Sequence, residues 1–222
     1  MLDACARVGC SLTLLSSGGV VYGRPEKLPI SEEHPTNPVG AYGIRSLLLE
    51  KYVQAQAQLK GFNVRILRIS NAYGSRQPLR RSQGIVSALL HDLIRNRSTT
   101  IYGNGLVVRD YVHAPDVASA VLQLLTAPAP PTILNVGSGR GRSLLDLISI
   151  CSSVTGRELS VRFERARSFD IEKNVLDISR LRRLIDFSPT EPESAIRQIW
   201  GSMADGTETV AHRNLRRLGG IH

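Results

Sequence analysis

Tyr42 opens the run AYGIRSLLLEKY, residues 41 to 52, whose apolar residues recur with helical spacing. A tyrosine at such a position can act as a general base when it is held as the phenolate. Without help a tyrosine ionises near pH 10, so only about one in a thousand is phenolate at pH 7, a penalty near 4 kcal/mol. A cation one turn later on the same face could tune the phenol, and Ser46 stands there without a charge. Arg45 also borders Tyr42, but its bulk and fixed fork differ from an ammonium. Lys51 falls on the opposite side of the helix. The bland alternative for Tyr42 is a half-buried aromatic at a helix start.

Other reactive residue types form weaker patterns. Cys5, Cys10 and Cys151 are odd in number and lack metal-ligand spacing, so buried free thiols in a reducing cytoplasm are expected. His91 and His113 have no Cys, His or carboxylate set at metal spacing; packing or surface roles and no metal site are expected. GSGRG, residues 137 to 141, lies between a strand pattern and a helix pattern. It stands too late in the chain for a dinucleotide turn, and no acidic residue ends the next strand, so it reads as a close-packing loop, with phosphate binding as the alternative.

The elements that must position these residues follow from periodicity. SLTLLSS (11 to 17) predicts a buried strand, residues 41 to 60 a helix, and NVRILRIS (63 to 70) a second strand, which together make a parallel crossover unit. Residues 84 to 96 read as a helix, and TTIYG (99 to 103) and VVRDYVH (107 to 113) as short strands around an Asn-Gly turn. Residues 114 to 126 are helical with Pro115 in the first turn, and 132 to 139 form a strand. Ser143 and Gly156 frame the next helix as cap and stop, followed by a strand at 158 to 164 and two terminal helices. The polar end of the chain is expected to fray.

With 42% apolar and 21% charged residues over 222 positions, the composition is that of a soluble globular protein. A net charge of +9 favours phosphate-rich ligands. The arginines are scattered without interleaved aromatics, which argues against nucleic acid and for small phosphate-bearing ligands. The first ten residues show no basic flank and no long apolar core, so neither a signal peptide nor a membrane span is expected.

LLSSGGVVYG, NPVGAYGIRSLLLEKY, RILRISNAYGSRQ, TIYGNGLVVRDYVHAPDVASA, LNVGSG and RARSFDIEKNVLDISRLRRLI follow one another in an order that resembles the extended short-chain dehydrogenase/reductase family. They are most similar to NAD-dependent nucleotide-sugar epimerases of the UDP-glucose 4-epimerase type, enzymes of carbohydrate metabolism. The resemblance implies an α/β fold: the later half of a Rossmann-like parallel sheet with a small C-terminal substrate-binding lobe. Residues 1–75 would be the remainder of the NAD-binding domain, interleaved with a lobe and late strands at 76–203, before a polar tail at 204–222. In the family roughly one hundred further residues come first, carrying the Gly-rich turn. The expectation is therefore a chain matching the later two thirds of such an enzyme.

The same resemblance assigns roles. Tyr42 matches the base that takes the proton of the sugar 4-hydroxyl, and Ser46 replaces the usual lysine. The family usually has Ser or Thr four residues before Tyr22, where this chain has Gly18; Ser17 either substitutes or only packs the strand end. Ser16, Tyr42 and Ile69 would face the NAD cofactor. Asn71, Arg109 and Arg167 would hold the diphosphate of a UDP-hexose, with Asp170 beside the second arginine, while Ile85 and Tyr102 would line the uracil pocket. A bidentate arginine pair suits a diphosphate because charge-assisted forks give both strength and orientation. Weak or absent NAD binding, impaired turnover and a homodimer built on residues 41 to 60 and 2 to 8 are expected. A non-catalytic nucleotide-sugar binding or regulatory module is the alternative.

Overall fold

The structure, a computed structural model, describes residues 1–75, 84–127, 132–166 and 171–204. The chain begins with α1 (Leu2–Val8), β1 (Leu12–Ser17), the single turn α2 (Gly18–Val21) and the long helix α3 (Ala41–Lys60). Then come β2 (Val64–Ile69), β3 (Asn71–Tyr73), α4 (Ile85–Ile94), β4 (Thr99–Tyr102) and β5 (Val108–His113). The remainder is α5 (Ala114–Thr126), β6 (Ile133–Val136), β7 (Gly141–Ser143), α6 (Leu144–Thr155), β8 (Val161–Glu164), β9 (Lys173–Asn174), α7 (Ser179–Leu184) and α8 (Pro192–Ala204).

The crossover unit expected from the sequence is present: β1 and β2 pair in parallel over Leu12 to Ser17, and β6 joins β2 in parallel to give the order β1-β2-β6. One face of this sheet packs Leu67, Leu134 and Val136 against Val117, Ala120 and Leu124 of α5 and Leu181 of α7. The other face meets α3, while Cys5 of α1 packs against Ala57 and Phe62. These helices on both faces make the protein α/β with a Rossmann-like parallel sheet. A separate core lies between α4, α6 and α8, where Leu89, Leu90, Leu147 and Ile196 are fully buried.

The two strands around the Asn-Gly turn do not pair with each other. Gly103 and Gly105 both take positive φ, 80° and 75°, and turn the chain away from a hairpin. β4 instead pairs in parallel with β8, and β5 becomes a crossing point that pairs with β3, β7 and β9. The short elements α2, β3, β7 and β9 leave too few residues for any periodicity to show. Ser143 closes a reciprocal capping box with Asp146, and Gly156 ends α6 at φ 66°, both as expected. Cys10 departs from expectation: it is exposed, whereas Cys5 and Cys151 are buried. No helix among the described residues is long and apolar enough to cross a membrane.

Candidate active site

Parallel register aligns the ends of the strands. Ser16 stands opposite Arg68, Ser17 opposite Ile69, and Ile69 opposite Val136. Directly after Ser17 the backbone passes against its neighbours so closely that a Cβ at Gly18 would lie 2.7 Å from Leu176 Cδ1 and 2.9 Å from the Arg68 carbonyl oxygen. A side chain at this position would force Leu176 or the Arg68 backbone to shift. Gly43 allows a second close approach: its Cβ would stand 2.9 Å from the Val20 carbonyl oxygen, so the first turn of α3, with Tyr42, rests on α2 at the end of β1.

Tyr42 is 56% exposed. The Ser46 hydroxyl turns back and donates to the Tyr42 carbonyl oxygen at 2.9 Å, so it serves the helix and not the phenol. Arg45 places its guanidinium carbon 5.4 Å from the centre of the Tyr42 ring, over the face, held by cation–π attraction. Among the described residues no hydrogen bond joins Arg45 to the phenol oxygen.

Beneath this rim runs a buried polar chain that no sequence pattern announced. Ser16 donates to the Glu50 carboxylate. Glu50 also receives Arg68, from Nη2 at 2.8 Å and Nε at 3.2 Å, with both side chains almost wholly buried. The Arg68 guanidinium lies 4.8 Å from the centre of the Tyr22 ring, and the Tyr22 hydroxyl donates to Asn135 Oδ1 at 2.7 Å. Burial raises the Tyr22 pKa, with Arg68 acting the other way. Asn135 Nδ2 then donates to the Ile30 carbonyl at 2.9 Å. Ser16, expected to face the cofactor, is thus committed to Glu50. An arginine inside the apolar run RILRIS was the one available signal, since an unpaired charge is not tolerated there.

The second focus is Asp110. Its carboxylate accepts from the Ser138 amide and hydroxyl, both at 2.7 Å, the Gly139 amide at 3.1 Å, and the Ser70 hydroxyl and Leu176 amide, both at 3.3 Å. Burial pushes its pKa up, against the opposing pull of Ser138 and of the amides of Leu176 and Gly139. Gly137 is required here, because a Cβ would fall 2.4 Å from Asp110 Oδ2. The GSGRG loop therefore packs around an internal anion. Its Ser138 and Gly139 amides, which would otherwise suit a phosphate, are taken by Asp110, and the Arg140 amide by the Ser138 hydroxyl.

Asn71 hangs on the same crossing: its Nδ2 donates to the Asp110 carbonyl at 3.1 Å, and β3 pairs with β5 opposite Tyr111. Arg109, the preceding residue of β5, is half-buried and donates from Nη1 to the Val108 carbonyl at 2.9 Å. Asn71 and Arg109 thus sit on paired strands. Tyr102 ends β4 in the ladder with β8, and Ile85 packs on the α4–α6–α8 core. No contact among those described brings either residue to Tyr42. Arg167 and Asp170 lie outside the described residues. His113 is buried, its pKa lowered by burial, with its ring 5.6 Å from that of Tyr73.

The family model for the NAD dependent epimerase/dehydratase family matches residues 1–137. This chain belongs to that family. A Methanocaldococcus jannaschii protein provisionally named a UDP-glucose 4-epimerase is 34% identical over 173 residues, covering 78% of this chain and 56% of that protein. The UDP-glucose 4-epimerase of Mycolicibacterium smegmatis is 30% identical over 174 residues, with the same coverage of 78% and 56%. The chain therefore spans little more than half the length of these curated relatives. Among solved structures, Thermotoga maritima UDP-glucose 4-epimerase with UDP-glucose superposes with a TM-score of 0.86 at 26% identity, over 93% of this chain and 67% of that one. The Thermus thermophilus enzyme in complex with NAD gives 0.82 at 29% identity, over 90% and 66%.

Proposed function

We propose that this chain carries the nucleotide-sugar side of a UDP-glucose 4-epimerase-like enzyme and that its own turnover is impaired. The observation that carries the reading is that α2, at the end of β1, meets both the first turn of α3, which bears the exposed Tyr42, and Asn71, whose Nδ2 lies 3.5 Å from where a Cβ at Gly19 would stand, while Arg109 lies on β5, the strand paired with β3. In this reading Asn71 and Arg109, joined by Arg167 and Asp170, hold the diphosphate of a UDP-hexose. Tyr42 takes and returns the proton of the sugar hydroxyl, with Ser17 as the nearest strand-end hydroxyl. Ile69 backs the cofactor side of the pocket, and Ile85 and Tyr102 the uracil side.

Two features support impairment: Ser46 brings no charge to the phenol, and a side chain at Gly18 would crowd the Arg68 carbonyl and Leu176. NAD supplies hydride acceptance in the family; the sequence carries no G-x-G-x-x-G turn to hold its pyrophosphate, and weak NAD binding is the expected outcome. The same features favour a second reading, a binding module without turnover.

Calorimetric titration of the chain with UDP-glucose and with NAD, beside an assay for UDP-galactose, tests both. Saturable UDP-glucose binding is expected, weakened about tenfold or more by Arg109→Ala through loss of a charge-assisted hydrogen bond. No NAD saturation at micromolar concentration is expected. Failure to bind UDP-glucose overturns the whole proposal, whereas tight NAD binding with rapid turnover overturns only the impairment. Slow turnover supports the enzyme reading, and sugar binding with none at all favours the module.

The partner proposed for the protein side is a second copy. Ile44, Leu48 and Tyr52 are 56%, 67% and 54% exposed at four-residue intervals along α3, an apolar stripe of the kind that pairs helices. Light scattering at tens of micromolar is expected to show a dimer, and a monomer would count against it.

A further inference from the structure

Helix α1 ends in the sequence Cys5-Ala6-Arg7-Val8-Gly9-Cys10. Gly9 takes φ 68° and its amide donates to the Cys5 carbonyl; the Cys10 amide donates to that same carbonyl at 3.2 Å. This six-to-one closure is a Schellman ending. It folds the residue after the glycine back over the residue four before the glycine, so that their side chains meet. An apolar pair usually occupies those positions. Here both members are thiols.

We propose that Cys5 and Cys10 form a redox-active dithiol, a modification site at the corner between α1 and β1 that closes reversibly to a disulfide. The two sulfurs differ in access: Cys10 is exposed, while Cys5 is 6% exposed and packs among Ala57 and Phe62. A peroxide therefore meets Cys10 first. The Cys10 thiolate attacks one peroxide oxygen, the O–O bond breaks, and an alcohol or water leaves with Cys10 as the sulfenic acid. The Cys5 sulfur then attacks the Cys10 sulfur, the S–O bond breaks, and water departs with the Cys5 proton, leaving the disulfide. A small-molecule disulfide reaches the same product by two exchange steps that release two thiols.

The neighbouring Cys10 side chain, followed by burial, raises the Cys5 pKa, which fits Cys5 as the second and not the first sulfur to react. Cys151 is the built-in control, fully buried in α6 with its pKa pushed by burial to about 12. The link would add a covalent tie two residues before β1 begins, on the strand that ends at Ser16 and Ser17.

The test uses the unaltered chain, reduced and then exposed to dilute hydrogen peroxide or to glutathione disulfide, with intact-mass and peptide mass spectrometry as readouts. Loss of two hydrogens per chain, mapped to a Cys5–Cys10 link with Cys151 still a free thiol, is expected with either oxidant. Closure in the folded chain is expected to outpace closure in urea by about tenfold or more, because the turn pre-positions the thiols. The reduced chain is also expected to bind phenylarsine oxide tightly through both sulfurs, and Cys10→Ser or Gly9→Val to abolish or weaken that capture. Conversion of Cys10 to sulfinic acid or to an intermolecular disulfide while Cys5 stays free would overturn the proposal. So would equal closure rates in folded and denatured chains.

Discussion

Asp110 and Tyr42 are both polar residues poised beside the ends of the parallel strands, and the protein treats them in opposite ways. Asp110 is fully buried and accepts from five donors contributed by three separate segments of chain. Tyr42 faces solvent, lends its carbonyl to Ser46 and its ring face to Arg45, and has no described partner for its hydroxyl. A buried polar group must be answered by the protein itself, because leaving it unpaired costs about 1–3 kcal/mol. An exposed one can wait for a ligand. The polar interior therefore builds the fold, while the polar rim is left to chemistry.

Breaking the interior should have the largest effect. Arg68→Met leaves the Glu50 carboxylate buried without its cation and is expected to lower stability by about 3–5 kcal/mol in urea unfolding, most of it regained in Arg68→Met/Glu50→Leu. If the single change proves neutral, the contrast between interior and rim fails. On the rim, Ser46→Lys should affect turnover and leave stability nearly unchanged. In a chain joined to the remaining part of the M. smegmatis relative, it is expected to raise epimerase activity by up to about a thousandfold, following the ionisation penalty of an unassisted tyrosine. Full activity before the change would show that the serine is harmless.

Gly18→Ser probes the boundary between the two regions. A side chain there meets the Arg68 carbonyl and Leu176, so a loss of about 1–3 kcal/mol by overpacking is expected, with no gain in turnover. The smallest effect belongs to the self-contained capping box of α6. Ser143→Ala should remove about 1 kcal/mol from α6 by deleting its cap. Asp146, held below its ordinary 3.8 by the Ser143 amide and then the Ser143 hydroxyl, contributes stability that is present above that pH and lost as pH falls through its lowered pKa. The difference between the wild type and Asp146→Asn should accordingly shrink under acid and stay constant near neutrality.

The strands and helices that can be read from the sequence are those long enough to repeat a pattern, such as the parallel pair Leu12–Ser17 and Val64–Ile69 and the helix beginning at Ala41. Tyr42, Asn71 and Arg109 were singled out by the motifs around them and not by any pattern of their own. The Asn-Gly turn misled, since turn chemistry specifies a reversal and not which strand the chain pairs with afterwards. Glu50, Arg68, Tyr22 and Asn135 were missed for a related reason: their partners lie up to 113 residues apart in sequence. Only the folded register brings them together. The exposed Cys10 was missed because its position is set by the backbone of Gly9, although the spacing Cys-x-x-x-Gly-Cys was in view.

The placement of Tyr42 and Ser46 outside the packed interior has a consequence for how such a chain changes over generations. A substitution at Ser46 alters no buried contact, so selection for folding alone cannot see it; a substitution at Arg68 must be matched at Glu50 or the protein is lost. A rim residue can therefore change in one step, while Arg68 and Glu50 must change together if neither charge is to be left buried and unpaired. Descendants that keep the pair and vary the rim would still fold and still resemble their relatives, whatever had become of their chemistry.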